Sequence, residues 1–157
     1  EEKFFADIAE CGATWEGPAG IERRKELMGR SRVFLCPTQY NEPFGGVAVE
    51  AMMSGCPVIT SDWGAFTEIV VQGVTGYRCR NVREMVTALG ALGTIQGAVC
   101  REYAVQNYSL KRMADLYDDY LENVVADVEK RVPKVSTLTA SLRWHPGLRF
   151  SERGGKK

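Results

Sequence analysis

Two carboxylates and two glycines stand together in one short segment of the chain. Glu42 precedes the pair Gly45 and Gly46, and Glu50 follows that pair, eight residues after Glu42. Glycines at the start of a helix let a ligand approach the backbone closely. The first N–H groups of a helix, together with the positive end of its dipole, suit phosphate. The expected anion site consists of four backbone amides, those of Phe44, Gly45, Gly46 and Val47.

The two carboxylates are expected to have a different role from phosphate binding, because a negative side chain beside a phosphate site weakens the binding of phosphate. An ionised carboxylate accepts hydrogen bonds from two neighbouring hydroxyl groups at once. A ligand with phosphate groups between two sets of paired hydroxyls would suit this arrangement, and a nucleotide-sugar is such a ligand. Two structural explanations stay open at this point. The glycines also permit tight packing between helix and strand, and Glu50 near the start of a helix also complements the helix dipole.

The elements that position these residues follow from the alternation of short apolar runs with amphipathic stretches. The predicted strands are 13–15, 33–36, 58–61 and 77–79. A first helix is predicted to end before Cys11, and the others span 21–28, 45–54, 66–71, 82–92, 97–106 and 110–129. Strands separated by helices indicate βαβ units and a parallel sheet. The predicted fold is therefore α/β, a partial doubly wound Rossmann-like parallel sheet with flanking helices.

Two of these elements carry more detailed expectations. The run from Val33 to Cys36 is apolar on both faces, which is typical of a buried parallel strand. In the helix at 21–28, Ile21, Leu27 and Met28 are expected to face inward, and the charged side chains 22–26, which include Arg24, to be solvated. Because a doubly wound domain usually has about five or six strands, we expect the chain to be the second part of such a domain.

Composition excludes several classes of function. The 157 residues include 20 Lys and Arg and 20 Asp and Glu, and this balance argues against a nucleic-acid binder. The five cysteines form no Cys-x-x-Cys pair, which predicts reduced, mostly buried thiols in a cytoplasmic protein rather than a disulfide scaffold or a zinc site. No apolar run approaches the roughly 20 residues that span a bilayer.

The predicted organisation has two parts. Residues 1–129 are interpreted as an incomplete nucleotide-sugar-binding Rossmann-like domain, and residues 130–157 as an extended or disordered basic tail. The tail holds His145, the one histidine, which we interpret as a surface residue. Its basic residues are interpreted as a solvated surface, with peripheral contact to an anionic membrane or a partner as the alternative. The chain begins without Met, so we expect it to be part of something longer.

An ordered series of motifs supports a more specific interpretation. It consists of Glu42-Pro43-Phe44-Gly45, Glu50-Ala51-Met52, Gly55-Cys56-Pro57-Val58-Ile59, Gly64, Glu68-Ile69-Val70 and Gly73-Val74-Thr75-Gly76. This series resembles the retaining glycosyltransferases of family four, which are nucleotide-sugar enzymes with two Rossmann-like domains, the GT-B type. The resemblance implies that the chain is the C-terminal, donor-binding domain of such an enzyme. The N-terminal domain would then be supplied in cis or by a partner chain.

The resemblance also implies roles for individual residues. Glu42 would be the catalytic residue, holding hydroxyls of the transferred sugar and helping to stabilise charge at the reacting carbon. The donor-binding residues would be Phe44, Gly45, Gly46, Val47 and Glu50. Glu50 would bind the ribose 2′ and 3′ hydroxyls, and the amides would bind the sugar and the diphosphate. The donor would be a UDP- or GDP-sugar and the acceptor a glycan, a lipid or another molecule. No metal or other cofactor is expected, because preorganised N–H groups stabilise the leaving diphosphate.

Further parts of such an enzyme are expected to lie outside this chain. The family's donor site uses an upstream Arg and Lys, and a histidine comes from the N-terminal domain. His145 does not replace that histidine. We therefore expect the isolated chain to be inactive, or at most a weak nucleotide binder. Two alternatives remain open: a non-catalytic nucleotide-sugar-binding or scaffolding module that pairs with another subunit, and a nucleotide-sugar epimerase of the same two-domain architecture.

Overall fold

The computed structural model describes residues 2–131 of the chain. The strands are β1 (Phe34–Cys36), β2 (Val58–Ser61) and β3 (Gly76–Cys79). The helices are α1 (Glu2–Glu10), α2 (Ile21–Arg30), α3 (Gly46–Met53), α4 (Phe66–Ile69), α5 (Val82–Ala91), α6 (Gly97–Tyr108) and α7 (Leu110–Arg131), and a 3₁₀ turn covers Leu92–Thr94. Within the part of the chain that the structure describes, contacts separate two units, one ending at Met113 and the other beginning at Ala114.

The sheet of the first unit is parallel and runs in the order β1-β2-β3. Cys36 lies opposite Thr60, and Ser61 lies opposite Cys79, so the three strands end at one edge of the sheet. The loops that leave these carboxyl ends are therefore neighbours. In open parallel sheets this edge is where ligands bind.

Helices cover both faces of the sheet, as the alternation of side chains along β2 requires. Val58 belongs to a core cluster with α3 and α6, which includes the fully buried Met52 and Cys100. Ile59, the next residue of β2, packs instead in a cluster with residues of α5. This arrangement confirms the predicted α/β fold with a Rossmann-like parallel sheet and flanking helices.

Three detailed predictions are wrong. Residues 13–15 form no strand and are exposed, since no described strand lies beside them to share hydrogen bonds. β1 is not buried on both faces, because the described residues leave the side of the strand that carries Leu35 partly uncovered, and Leu35 is 48% exposed. Ile21 does not face inward. It is the first residue of α2 and is exposed, whereas Met28, nearly two turns later, is buried.

The last helix, α7, extends two residues past the predicted limit of 129, and its residues are mostly exposed. Residues 132–157, which make up most of the predicted basic tail and include His145, lie outside the described residues. The boundary at residue 129 stays a prediction. Among the helices that the structure describes, none combines the length and the apolar character that crossing a bilayer requires.

Candidate functional site

The loop that leaves β1 ends at the N-terminus of α3, and Gly45 makes this turn. Gly45 caps α3 in the left-handed conformation, with φ at +72°. A Cβ at this position would lie 2.9 Å from Cε1 of Phe66 and 3.1 Å from Cδ1 of Ile69. Glycine is therefore required both by the backbone conformation and by the packing beneath the turn.

Glu42 is held firmly at this N-terminus. The Gly45 N–H donates to Oε1 of Glu42 over 2.9 Å, and the Ala65 N–H donates to the Glu42 carbonyl oxygen over 2.8 Å. Tyr40 also engages this carboxylate, and its side-chain hydrogen bond to Glu42 raises the pKa of the Tyr40 hydroxyl. Glu42 thus lies beside the positive end of the α3 dipole, where a carboxylate is stabilised.

The loop after β2 supports Glu42 from the other side. Gly64 is left-handed, with φ at +59°, and a Cβ there would lie 2.5 Å from both the backbone N and the backbone O of Glu42. Trp63 donates from Nε1 to the Thr38 carbonyl oxygen over 3.1 Å. These contacts join the loop after β1 to the loop after β2, so the sheet edge positions the glutamate.

The predicted amide cluster is only partly free to meet a ligand. The Gly45 N–H is engaged by Glu42, whereas Gly46 and Val47 lie in the first turn of α3, where amides have no acceptor within the helix. The side chains of Phe44 and Val47 are exposed beside this turn. The structure therefore brings the five predicted residues from Glu42 to Val47 together, and their roles toward a ligand stay predictions.

Glu50 lies one turn further along α3 and has a partner that sequence analysis missed. Arg24 of α2 donates from Nε to Oε2 of Glu50 over 2.9 Å and from Nη2 to Oε1 over 3.3 Å. Arg24, which was expected to be solvated, keeps 36% of its side chain exposed and in addition forms this ion pair. The two residues are 26 positions apart, and no local spacing pattern reports such a pair.

The carboxyl end of β2 adds a second charged group at the same edge. Asp62 pairs with Arg80 through Oδ2 and Nε at 3.0 Å, and with Arg78 through Oδ1 and Nε at 3.6 Å. This cluster fixes the start of the loop that carries Gly64. The Asp62 carboxylate is thus paired with two arginines, Arg78 within β3 and Arg80 directly after it.

A cleft of about 340 Å³ opens next to the N-terminus of α3, and Phe44, Gly64, Glu68 and Tyr108 line it. Tyr108 reaches the Glu68 carbonyl oxygen over 3.4 Å. Burial, with a hydrogen bond to Tyr103, raises the pKa of Tyr108 to about 12. Tyr108 therefore keeps its proton at neutral pH and serves as a hydrogen-bond donor.

In residues 2–131 no group of three or more His, Cys, Asp or Glu side chains is arranged to hold a metal ion. The chemistry that the site offers is instead that of hydrogen-bond donors and acceptors. Helix amides suit an anion, and Glu42 and Glu50 are carboxylate acceptors on either side of them. Metal independence stays a prediction.

The buried cysteines are expected to be inert toward alkylation. Burial raises the pKa of the Cys56 thiol to about 11, and it also raises the pKa of Cys79 and Cys100. At pH 8 about one Cys56 thiol in a thousand would then be ionised, and the thiolate is the reactive form. Iodoacetamide treatment of the folded chain, read by peptide mass spectrometry, should label the exposed Cys11 and leave these three unlabelled.

The same reagent applied in guanidinium chloride serves as the control, since unfolding should make all the thiols reactive. Labelling of Cys56 in the folded chain as fast as Cys11 would contradict the expected burial.

The fold and this sheet edge define a GT-B-like α/β domain. The family described as glycosyl transferases group 1 matches residues 3–94, more than half of the chain, and the chain belongs to this family.

Individual relatives agree with this assignment. The chain is 31% identical over 121 residues to alpha-maltose-1-phosphate synthase of Mycobacterium tuberculosis, covering 68% of this chain and 31% of that protein. It is 32% identical over 112 residues to an uncharacterized glycosyltransferase of Methanocaldococcus jannaschii, covering 71% of this chain and 27% of that protein. The chain thus spans about a third or less of the length of these relatives.

A solved structure supports the fold. The crystal structure of Anabaena HepE in complex with UDP-glucose aligns with a TM-score of 0.62 and 21% sequence identity. The alignment covers 78% of this chain and 36% of HepE.

Proposed function

We propose that this chain is the donor-binding part of a retaining glycosyltransferase of family four. The whole enzyme would transfer a sugar from a UDP- or GDP-sugar to a glycan, a lipid or another acceptor. The observation that carries the proposal is the N-terminus of α3, where the Gly45 turn stands between two carboxylates at the carboxyl edge of a parallel sheet. Membership of the glycosyl transferases group 1 family supports the reaction class, and the UDP-glucose bound by HepE supports a nucleotide-sugar ligand.

The proposed division of labour follows the geometry of α3. The amides of Gly46 and Val47, with the helix dipole, would bind the diphosphate, whose negative charge grows as the bond to the sugar breaks. Glu42 would accept hydrogen bonds from hydroxyls of the transferred sugar. Its carboxylate has about four lone-pair sites, so acceptor capacity remains beyond the contacts to Gly45 and Tyr40. Glu50 would accept from the ribose 2′ and 3′ hydroxyls.

The rest of the machinery would come from a further, N-terminal domain in cis or on a partner chain. Residues 1–129 would form the incomplete donor-binding domain, and residues 130–157 would form a basic tail. An isolated chain that carried out sugar transfer would contradict the expectation that a further domain is needed.

A nucleotide titration tests the donor site. Ligand-observed NMR with UDP, GDP, ADP and their glucose and mannose conjugates should show binding of one base class by the wild-type chain. Glu50→Ala should weaken that binding at least tenfold, because hydrogen bonds to a charged group contribute about 1.5–3 kcal/mol. Glu102→Ala, on the exposed surface of α6, is the matched control and should bind like the wild type. Equal binding after Glu50→Ala would overturn the proposed role of Glu50. A folded chain that binds none of these nucleotides would show that the residues expected outside this chain are indispensable for donor binding.

A further inference from the structure

Arg24 connects three parts of the first unit around Glu50. Its Nε and Nη2 atoms donate to the two carboxylate oxygens of Glu50. Its Nη1 atom donates to the Ala19 carbonyl oxygen over 3.1 Å, in the loop before α2. One guanidinium therefore holds the loop before α2, α2 itself and the Glu50 side chain of α3 in a fixed relation.

The geometry of this pair fixes the orientation of the Glu50 carboxylate and leaves part of its hydrogen-bonding capacity unused. The planar guanidinium presents two parallel donors, so both the position and the plane of the Glu50 carboxylate are set. Each oxygen has two lone pairs, and Arg24 uses one on each. The Glu50 side chain remains 47% exposed in the pair. Each oxygen keeps one lone pair on the outer side of the ion pair, so either oxygen of Glu50 can still accept a hydrogen bond from a ligand.

The pair contributes little to folding, because exposed ion pairs typically stabilise a protein by only about 0–1 kcal/mol. Arg23, the adjacent residue, makes comparable contacts to Glu16 at 2.8 Å and Glu26 at 2.7 Å. Those contacts involve neither α3 nor Glu50. What distinguishes Arg24 from Arg23 is therefore its partner.

We propose that Arg24 is a positioning residue of the donor site, which orients the Glu50 carboxylate so that the outer side of one oxygen accepts from the hydroxyls of a vicinal diol. This inference rests on the proposed function, in which those hydroxyls are the 2′ and 3′ groups of a ribose. Arg24 acts through Glu50, so its effect is specific to ligands that carry the diol.

The test compares UDP, GDP and ADP with their 2′,3′-dideoxy counterparts, titrated into the full 157-residue chain. The wild type should prefer the ribonucleotide. Arg24→Gln should weaken ribonucleotide binding about tenfold, because the hydrogen bonds from the ribose to Glu50 depend on the orientation that the Arg24 fork sets, and should leave dideoxynucleotide binding unchanged. Arg24→Lys should recover part of the loss, because lysine restores the charge but not the two-pronged contact.

Arg23→Gln is the matched control. It removes a positive charge from the same helix and should leave the ribonucleotide preference intact. Equal losses of ribonucleotide and dideoxynucleotide binding in Arg24→Gln would show a general effect and overturn the inference. Unchanged or tighter ribonucleotide binding in that variant would also overturn it, the latter because the ion pair would then compete with the ligand.

Failure of this inference differs from failure of the proposed function. If the wild type discriminates and Glu50→Ala loses the discrimination while Arg24→Gln keeps it, the inference alone is wrong. If the wild type binds both kinds of nucleotide equally, the assignment of Glu50 to a ribose is wrong and the inference fails with it.

Discussion

Gly64→Ala is expected to destabilise the chain by about 3 kcal/mol, because a left-handed alanine and an overpacked contact each cost roughly 1–3 kcal/mol. The new Cβ would meet the backbone N and O of Glu42 at 2.5 Å. Backbone atoms cannot swing aside as a flexible side chain does, so the Glu42 loop itself must move. The hydrogen bond from the Ala65 N–H to the Glu42 carbonyl should break with that movement.

Two measurements check this. Urea unfolding should show the loss of stability, and amide NMR spectra should show shifted resonances for Gly45 and Ala65. Because Glu42 is proposed to bind the sugar of the nucleotide-sugar, the affinity for nucleotide-sugars should fall as well. The matched control is Gly90→Ala in α5, where an added Cβ meets nothing within 4 Å. That change should stabilise the chain by about 0.5–1 kcal/mol, since alanine is the better helix former. Wild-type stability and spectra in Gly64→Ala would contradict the close contact.

Phe66→Ala is expected to cost about 3–5 kcal/mol, the usual range for removing a buried aromatic side chain. Phe66 is fully buried and packs beneath the Gly45 turn, against the α3 N-terminus. Its loss leaves a cavity under the turn that presents Glu42. Typical domains have only about 5–15 kcal/mol of stability, so this one change removes a large share of it.

The measurement is the free energy of unfolding from urea titration. Val82→Ala removes a side chain that is 74% exposed, and this control should change stability by less than about 0.5 kcal/mol. Phe66→Leu should cost less than Phe66→Ala because more of the volume is kept. A loss below about 1 kcal/mol for Phe66→Ala would mean that the turn does not depend on this packing.

Local signals in the sequence predicted most of the fold. The segment Val58-Ile59-Thr60-Ser61 is β2, with the bounds that were predicted, because two β-branched apolar residues followed by a third β-branched residue favour a strand. Gly55, with φ at +78°, ends the α3 segment as predicted. The expected strand at 13–15 failed because a strand depends on a neighbour, and the apolar pattern of three residues does not report one.

In the candidate site, too, the local contacts were predictable from the sequence and the long-range contacts were not. The proximity of Glu42 to Gly45 follows from their spacing across one turn, and both were predicted to share a site. The contacts of Arg24 with Glu50 and of Gly64 with Glu42 join residues 22 or more positions apart. Such contacts arise from the order of the strands and the packing of helices, which no spacing rule on a single sequence contains.

The central place of β2 has a consequence for how the molecule opens. Both edges of β2 are paired and its four residues are buried, so its paired amides exchange hydrogen with solvent only when the whole unit unfolds. Loops with exposed backbone exchange through smaller, cheaper openings. Deuterium uptake along the chain would therefore separate two free energies: the global one at Val58–Ser61, and the local one for freeing the Glu42 loop while the sheet stays intact.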